Sequence, residues 1–502
     1  VTASINSSSL SRNVTFVADV STAKIADLVV IQDNSVADGA MANTLRMRVT
    51  DAFGNTLGGQ TVSVTADNSA MVASTVITGP DGTVEISVTS QTAGISIVTA
   101  SINNSSLSRD VTFVADVRTA KIADLVVIKD GSEADGSTAN TLQVRVTDAF
   151  GNALAGQTVS VLADNGATVA PTVTTQPDGT VEISVTSQTA GVSAVTATIN
   201  SSTQSQNVTF IADVRTAKIA DLVVIKDGSE ADGSTANTLR ARVTDAFGNA
   251  LAGQAVSVMA GNSATVTPTV TTQSDGTVEF SVTSQTAGTS TVTASINSSS
   301  LSRDVTFIAD VRTAQIAVLE VTQDYAVADG STANTLRARV TDAFGNALAG
   351  QTVSVTAGNG ATVSPTVITG PDGTVEISVT SQTAGASTVT ASINSSSLSR
   401  NVTFVADVRT AQIAVLEVTQ DYAVADGSTA NTLRARVTDA FGNALAGQTV
   451  SVTAGNGATV SPTVITGPDG TVEISVTSQT AGASTVTASI NSSSLSRNVT
   501  FV

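Results

Sequence analysis

One fourteen-residue phrase, Val340-Thr-Asp-Ala-Phe-Gly-Asn-Ala-Leu-Ala-Gly-Gln-Thr-Val353, constrains the rest of the chain. Versions of it place Asp51, Asp148, Asp245, Asp342 and Asp439 at a fixed step of 97 residues. A second phrase, Val-Thr-Ala, then Ser or Thr, then Ile-Asn, keeps that step at Val1, Val98, Val195, Val292, Val389 and Val486. A long, unbroken period is the mark of a tandem array of one folding unit. The units run 21–117, 118–214, 215–311, 312–408 and 409–502, and residues 1–20 read as the C-terminal part of a truncated further unit. The chain is therefore expected to be a segment of a longer protein.

Each unit has the size of an independent domain and can bury its own core. That core must be aliphatic, because the chain has no Trp, 2 Tyr and 12 Phe, the last mainly at two positions per unit. In the fourth unit Leu336, Ala338 and Val340 alternate with Arg337 and Arg339, the two-residue period of a half-buried strand. The same period recurs at Val353 and Val355, at Val375, Ile377 and Val379, at Val389, Ala391 and Ile393, and at Val402 and Phe404. Ile316–Val321 supplies a first strand and Thr362–Val367 a short one limited by Pro365. Asp324–Ser331, Asp342–Asn346, Pro371–Gly373, Thr380–Gly385 and Asn394–Ser397 read as turns. Gly345 supplies the positive φ that the second of these requires. Seven short strands with a turn every 8–12 residues predict a β-sandwich of immunoglobulin-like type. No stretch has helical periodicity.

The linker Ala406-Asp-Val-Arg-Thr-Ala411 lacks the glycine and serine of a flexible tether. With seven strands, the last leaves at the pole opposite the one where the first enters, so units stack end to end. At about 3.3 Å per strand residue plus loops, each adds on the order of 40 Å. Residues 312–405 and 409–502 are identical, as recent duplication would leave them.

The net charge of −18 disfavours nucleic acid and anionic lipid as partners. No apolar run approaches the ~20 residues of a membrane helix, so no direct membrane insertion of this segment is expected. With no His and no Cys, the commonest general base and the thiol nucleophile are both missing, and no enzyme is expected. The absence of Cys fits either a cytosolic chain or one exported unfolded through a narrow pore.

Two sets of polar residues stand out. Arg339 and Glu376, constant at their positions in all five units, point outward on neighbouring strands and are expected to form a cross-strand ion pair; contact with a ligand is the other reading. Asp310, Asp342, Asn346 and Asp372, with the Asn394 loop, fall at one pole of the unit, beside the incoming linker. They either cap their own turns or bind Ca²⁺ at the joint, since Ca²⁺ takes six to eight oxygen ligands. No other metal or cofactor is implied. Asn-Val-Thr at Asn13, Asn207 and Asn401 reads as ordinary strand sequence.

The phrases Val-Thr-Asp-Ala-Phe-Gly-Asn-Ala-Leu-Ala-Gly-Gln-Thr-Val, Asp-Gly-Thr-Val-Glu-Ile-Ser-Val-Thr-Ser-Gln-Thr-Ala-Gly and Thr-Val-Thr-Ala-Ser-Ile resemble the group-one bacterial Ig-like repeats. Those repeats form the stalks of invasin- and intimin-like adhesins, the inverse autotransporters. The family's common Pro after the turn Gly-Asn is Ala347 in this chain. The resemblance implies an all-β stalk on the outside of a Gram-negative cell, anchored in the outer membrane by a region beyond this segment. It also implies export, and host-cell or cell–cell partners engaged through a tip domain elsewhere. The alternative is that the repeats themselves bind host matrix or one another.

Overall fold

A computed structural model describes all residues 1–502. The fourth unit serves for all five. Its strands are β1 (Gln315–Gln323), β2 (Ala326–Val327), β3 (Asn334–Thr341), β4 (Thr352–Ala357), β5 (Thr362–Val363), β6 (Thr366–Ile368), β7 (Thr374–Thr380), β8 (Gly385–Ile393) and β9 (Ser396–Val405). They form two sheets, ordered β1-β3-β7-β5 and β2-β9-β8-β4-β6. All pairings are antiparallel except the short β2–β9 contact, which is parallel. The unit is a two-sheet sandwich, and the chain is a tandem array of five such sandwiches. Residues Thr2–Ile5 and Ser8–Ser11 form a separate hairpin ahead of them.

Alternation decides which face is buried. Leu336, Ala338 and Val340 point inward and are fully buried, as are Val353, Ile377, Val379, Val389, Ala391 and Val402. Phe404 is the largest side chain among them at 2% exposure. Burying it contributes roughly 2–3 kcal/mol of transfer free energy. Val375 and Ile393 pack at the rim of this core. The five units hold five distinct clusters of buried apolar side chains, none shared between units. Cohesion is therefore local to each sandwich, as in other repeat arrays.

Two expectations change. Thr362–Val367 is not one strand: β5 pairs with β7 in one sheet and β6 with β4 in the other. Pro365 sits between them and lacks the N–H needed to continue a ladder, so the chain switches sheets there. Asp324–Ser331 is not wholly turn, because β2 lies within it and hydrogen-bonds along β9. Buried Asn334 ties the sheets together, donating Nδ2–H to Thr403 O (3.0 Å) and accepting from Ala326 N (2.9 Å). Alternation could not predict this, because Asn334 occupies an inward position where an apolar residue is expected.

Candidate functional site

The second to fifth units each present their β3–β4 turn to the unit before them, and the fourth shows how that turn is built. The Asp342 side chain organises its own loop: Oδ1 accepts from Phe344 N and Asn346 N, both at 2.9 Å. Gly345 stands at φ 88°, where a side chain would strain the backbone, and its N–H donates to Asp342 O at 3.2 Å. Gly373, in the neighbouring β6–β7 turn, has φ 73°, and a Cβ there would lie 2.7 Å from Val340 O. That close approach holds the two turns side by side.

The second oxygen of Asp342 faces the joint. Oδ2 accepts from Asn346 Nδ2 at 2.8 Å and from the linker's Asp310 N at 3.2 Å. Asp342 is fully buried and its acceptor sites are filled by N–H donors, the arrangement in which hydrogen bonds to a carboxylate are strongest. Asn346 then reaches across the joint. Its Nδ2 donates to Gln285 O at 2.9 Å, and its Oδ1 accepts from Ala287 N at 2.8 Å. Both partners belong to the β7–β8 loop of the third unit. The amide thus pairs with preceding main chain as a strand residue would.

The same clasp recurs at each joint. Asn152 meets Gln91 O and Ala93 N, Asn249 meets Gln188 O and Ala190 N, and Asn443 meets Gln382 O and Ala384 N, always at 2.9 and 2.8 Å respectively. Asn55, to which residues 1–20 offer no such loop, bonds Asp51 through its side chain and nothing further. The phenylalanine of the turn reports the same difference. Phe150, Phe247, Phe344 and Phe441 are 46–47% exposed, whereas Phe53 is 87% exposed. A preceding unit covers the ring.

The linker is ordered as well. Asp310 caps a single 3-10 turn, Val311–Thr313, accepting at Oδ1 from Arg312 N. The Arg312 guanidinium also donates to Asp310, at 3.0 Å, and holds its carboxyl below the usual carboxylate range. Thr313 Oγ1 accepts from Ala343 N at 3.2 Å, tying the turn to the unit it enters. Arg312 reaches back as well, pairing with Glu230 of the third unit.

Asp310, Asp342 and Asn346 therefore meet at the joint as one hydrogen-bonded cluster. Asp372 stays outside it, accepting from its own Thr374 N at 3.0 Å and Thr374 Oγ1 at 2.8 Å. Asn394 is likewise occupied with Ala314 O at 3.2 Å. No three carboxylates in the chain converge as a metal ion would need. Both Asp342 oxygens, Asp310 Oδ1, Asn346 Oδ1 and Asp372 Oδ1 already accept N–H donors, so this geometry gives the calcium reading no support.

The expected Arg339–Glu376 ion pair is also absent. Both residues lie on the outer face of one sheet, but the register sets Glu376 opposite Arg337 and Arg339 opposite Thr374. Arg337 instead pairs with Glu320 on β1 at 2.6 Å. A two-residue period fixes the face and leaves the register open by steps of two, which is how the partner was missed. The cross-joint role of Asn346 was missed for a related reason, since one unit's sequence does not say which loop of its neighbour it meets. Its recurrence beside the linker was the available signal.

The chain has no helix long and apolar enough to cross a membrane. A family model described as bacterial Ig-like domain (group 1) matches residues 25–114, 122–211, 219–308, 316–405 and 413–502. The chain is 32% identical over 528 residues to the inverse autotransporter adhesin YeeJ of Escherichia coli (strain K12). That match covers 98% of this chain and 22% of the relative, so the chain spans about a fifth of the relative's length. Among solved structures, invasin, described as a bacterial integrin-binding protein, aligns with TM-score 0.37 and 23% identity, over 77% of this chain and 82% of that one. The Escherichia coli adhesin FdeC aligns with TM-score 0.40 and 21% identity, over 58% and 100%. With five consecutive matches accounting for all five sandwiches, the chain belongs to the bacterial Ig-like domain (group 1) family.

Proposed function

We propose that this segment is a non-enzymatic extracellular spacer that holds an adhesive module, encoded outside it, away from a bacterial outer membrane. The observation that carries the reading is the asparagine clasp, repeated with the same partners at four successive joints. Units with separate cores supply length, and joints that bond main chain to side chain resist bending. Kinship with an inverse autotransporter adhesin supports a surface location and an anchor beyond the segment. At about 40 Å per unit, five units give a reach on the order of 200 Å.

A second reading, in which the repeats themselves bind host matrix or each other, is favoured by one observation. Tyr325 and Tyr422 are 67% and 66% exposed and adopt positive φ, a conformation unfavourable for a bulky residue. Deletion of one 97-residue unit from the whole adhesin separates the two. A spacer loses reach in proportion and keeps its receptor affinity. Adhesion or self-association by the purified segment, abolished by Tyr325→Ser with Tyr422→Ser, would replace the spacer reading with the second.

A further inference from the structure

The four joints share the clasp and cover the turn phenylalanine equally, but they differ in one ionic contact. At the joint between the second and third units, Arg215 pairs through Nε with Asp213 at 3.1 Å and through Nη2 with Glu133. Asp213 N in turn donates to Asp245 Oδ2 at 3.3 Å. A continuous strap thus runs from the second unit, through the linker, to the turn of the third. Arg312, with Glu230, Asp310 and Asp342, repeats it one unit later.

The outer joints lack it. The positions equivalent to Glu133 and Glu230 are Val36 and Val327. At the first joint Arg118 pairs with Asp116 of the linker at 3.0 Å and with no residue of the first sandwich. At the last, Arg409 pairs with Asp407 at 2.9 Å and reaches only to 3.9 Å from Asp329 of the fourth unit.

We propose that the array has two kinds of joint, strapped after the second and third units and unstrapped after the first and fourth. Bending then concentrates at the outer joints, and the residue at positions 36, 133, 230 and 327 selects the kind. The inference rests on reading the joints as the mechanical elements of a spacer. The arginine side chains are about two-thirds exposed (67% and 66%) and the glutamate side chains 30% exposed, so salt screens the strap. A strap of this exposure shifts the ratio of bent to aligned joints by about two- to fivefold.

The chain has no Cys, so spin labels can be placed in pairs without background. Exposed threonines one period apart span the joints: Thr75→Cys with Thr172→Cys across the first, Thr172→Cys with Thr269→Cys across the second, Thr269→Cys with Thr366→Cys across the third, and Thr366→Cys with Thr463→Cys across the fourth. Dipolar distance distributions of the full chain at low salt are expected to be narrower at the two central joints. Glu133→Gln and Glu230→Gln should each broaden only their own joint, Val327→Glu should narrow the fourth, and high salt should erase the difference. Four equal widths at low salt, or central widths indifferent to the Gln substitutions, would overturn the proposal. Failure of the spacer reading shows separately, as binding by the purified chain with these widths unchanged.

Discussion

Removing the turn phenylalanine from a joint isolates what that joint is worth, because the chain carries its own control. Phe344 is 46% exposed and Phe53, in the same turn but approached only by residues 1–20, is 87% exposed. The preceding unit covers roughly two-fifths of the ring, on the order of 80 Å² of the ~200 Å² that an aromatic side chain buries, or about 2 kcal/mol of transfer free energy. Phe344→Ala should therefore favour opening of the third joint by about 2 kcal/mol, roughly thirtyfold in population. The backbone amide of Ala287 reads this directly, since its N–H donates to Asn346 Oδ1 at 2.8 Å and is released when the joint opens. Native-state hydrogen exchange at Ala287 should accelerate roughly thirtyfold, in proportion to the open population. Exchange at Ala93, Ala190 and Ala384 should not change. Phe53→Ala should leave all four amides untouched. Exchange at Ala287 within twofold of the wild-type rate would refute the reasoning, as would equal acceleration by the two substitutions.

Asn346→Asp should open the same joint further than Asn346→Ala: the acid cannot donate to Gln285 O and sets a second carboxylate against Asp342, which exchange at Ala287 would rank. Phe404→Ala should cost its own sandwich about 3–5 kcal/mol by cavity formation. Calorimetry should show one unit in five melting on the order of 20 °C earlier while the rest hold, and a uniform shift would contradict separate cores. Gly345→Ala, with no atom within 4 Å of the new Cβ, should cost only the roughly 1 kcal/mol of left-handed backbone strain, whereas Gly373→Ala should cost several times more because Val340 O is 2.7 Å away; urea denaturation compares them. Asp310 pairs with Arg312, which also holds Glu230, and lies near Asp342 and Asp232; its folded pKa lies below the ordinary 3.8, chiefly through Arg312. Its contribution is therefore complete above about pH 4 and is lost as pH falls through the folded value, so third-joint distance distributions should broaden only in that acid range. Broadening centred near neutral pH would count against it.

Much of this architecture is legible in the sequence, and the residues mark where legibility stops. The step from Asp342 to Asp439 fixes the unit, and alternation through Leu336, Ala338 and Val340 fixes which face is buried. Both are local signals. Register is not local, so alternation alone matches Glu376 with Arg339 although Arg337 lies opposite it. Pro365 signals an interrupted strand, but not that the two fragments join different sheets. In sequence Asn346 reads as a turn residue or a calcium ligand, because its partners, Gln285 O and Ala287 N, are main-chain atoms of another unit, and main-chain atoms leave no mark in composition.

That last property has a consequence for how such an array can change over generations. The clasp addresses a carbonyl and an amide of the neighbouring loop, groups that every non-proline residue supplies. Side chains at Gln285 and Ala287 can therefore vary without the two units ceasing to fit, provided the loop keeps its path. Any copy of the unit can follow any other. Recombination that gains or loses whole copies, of the kind that would leave stretches as alike as the identical residues 312–405 and 409–502, then produces working joints at once, with no matching substitution needed on either side.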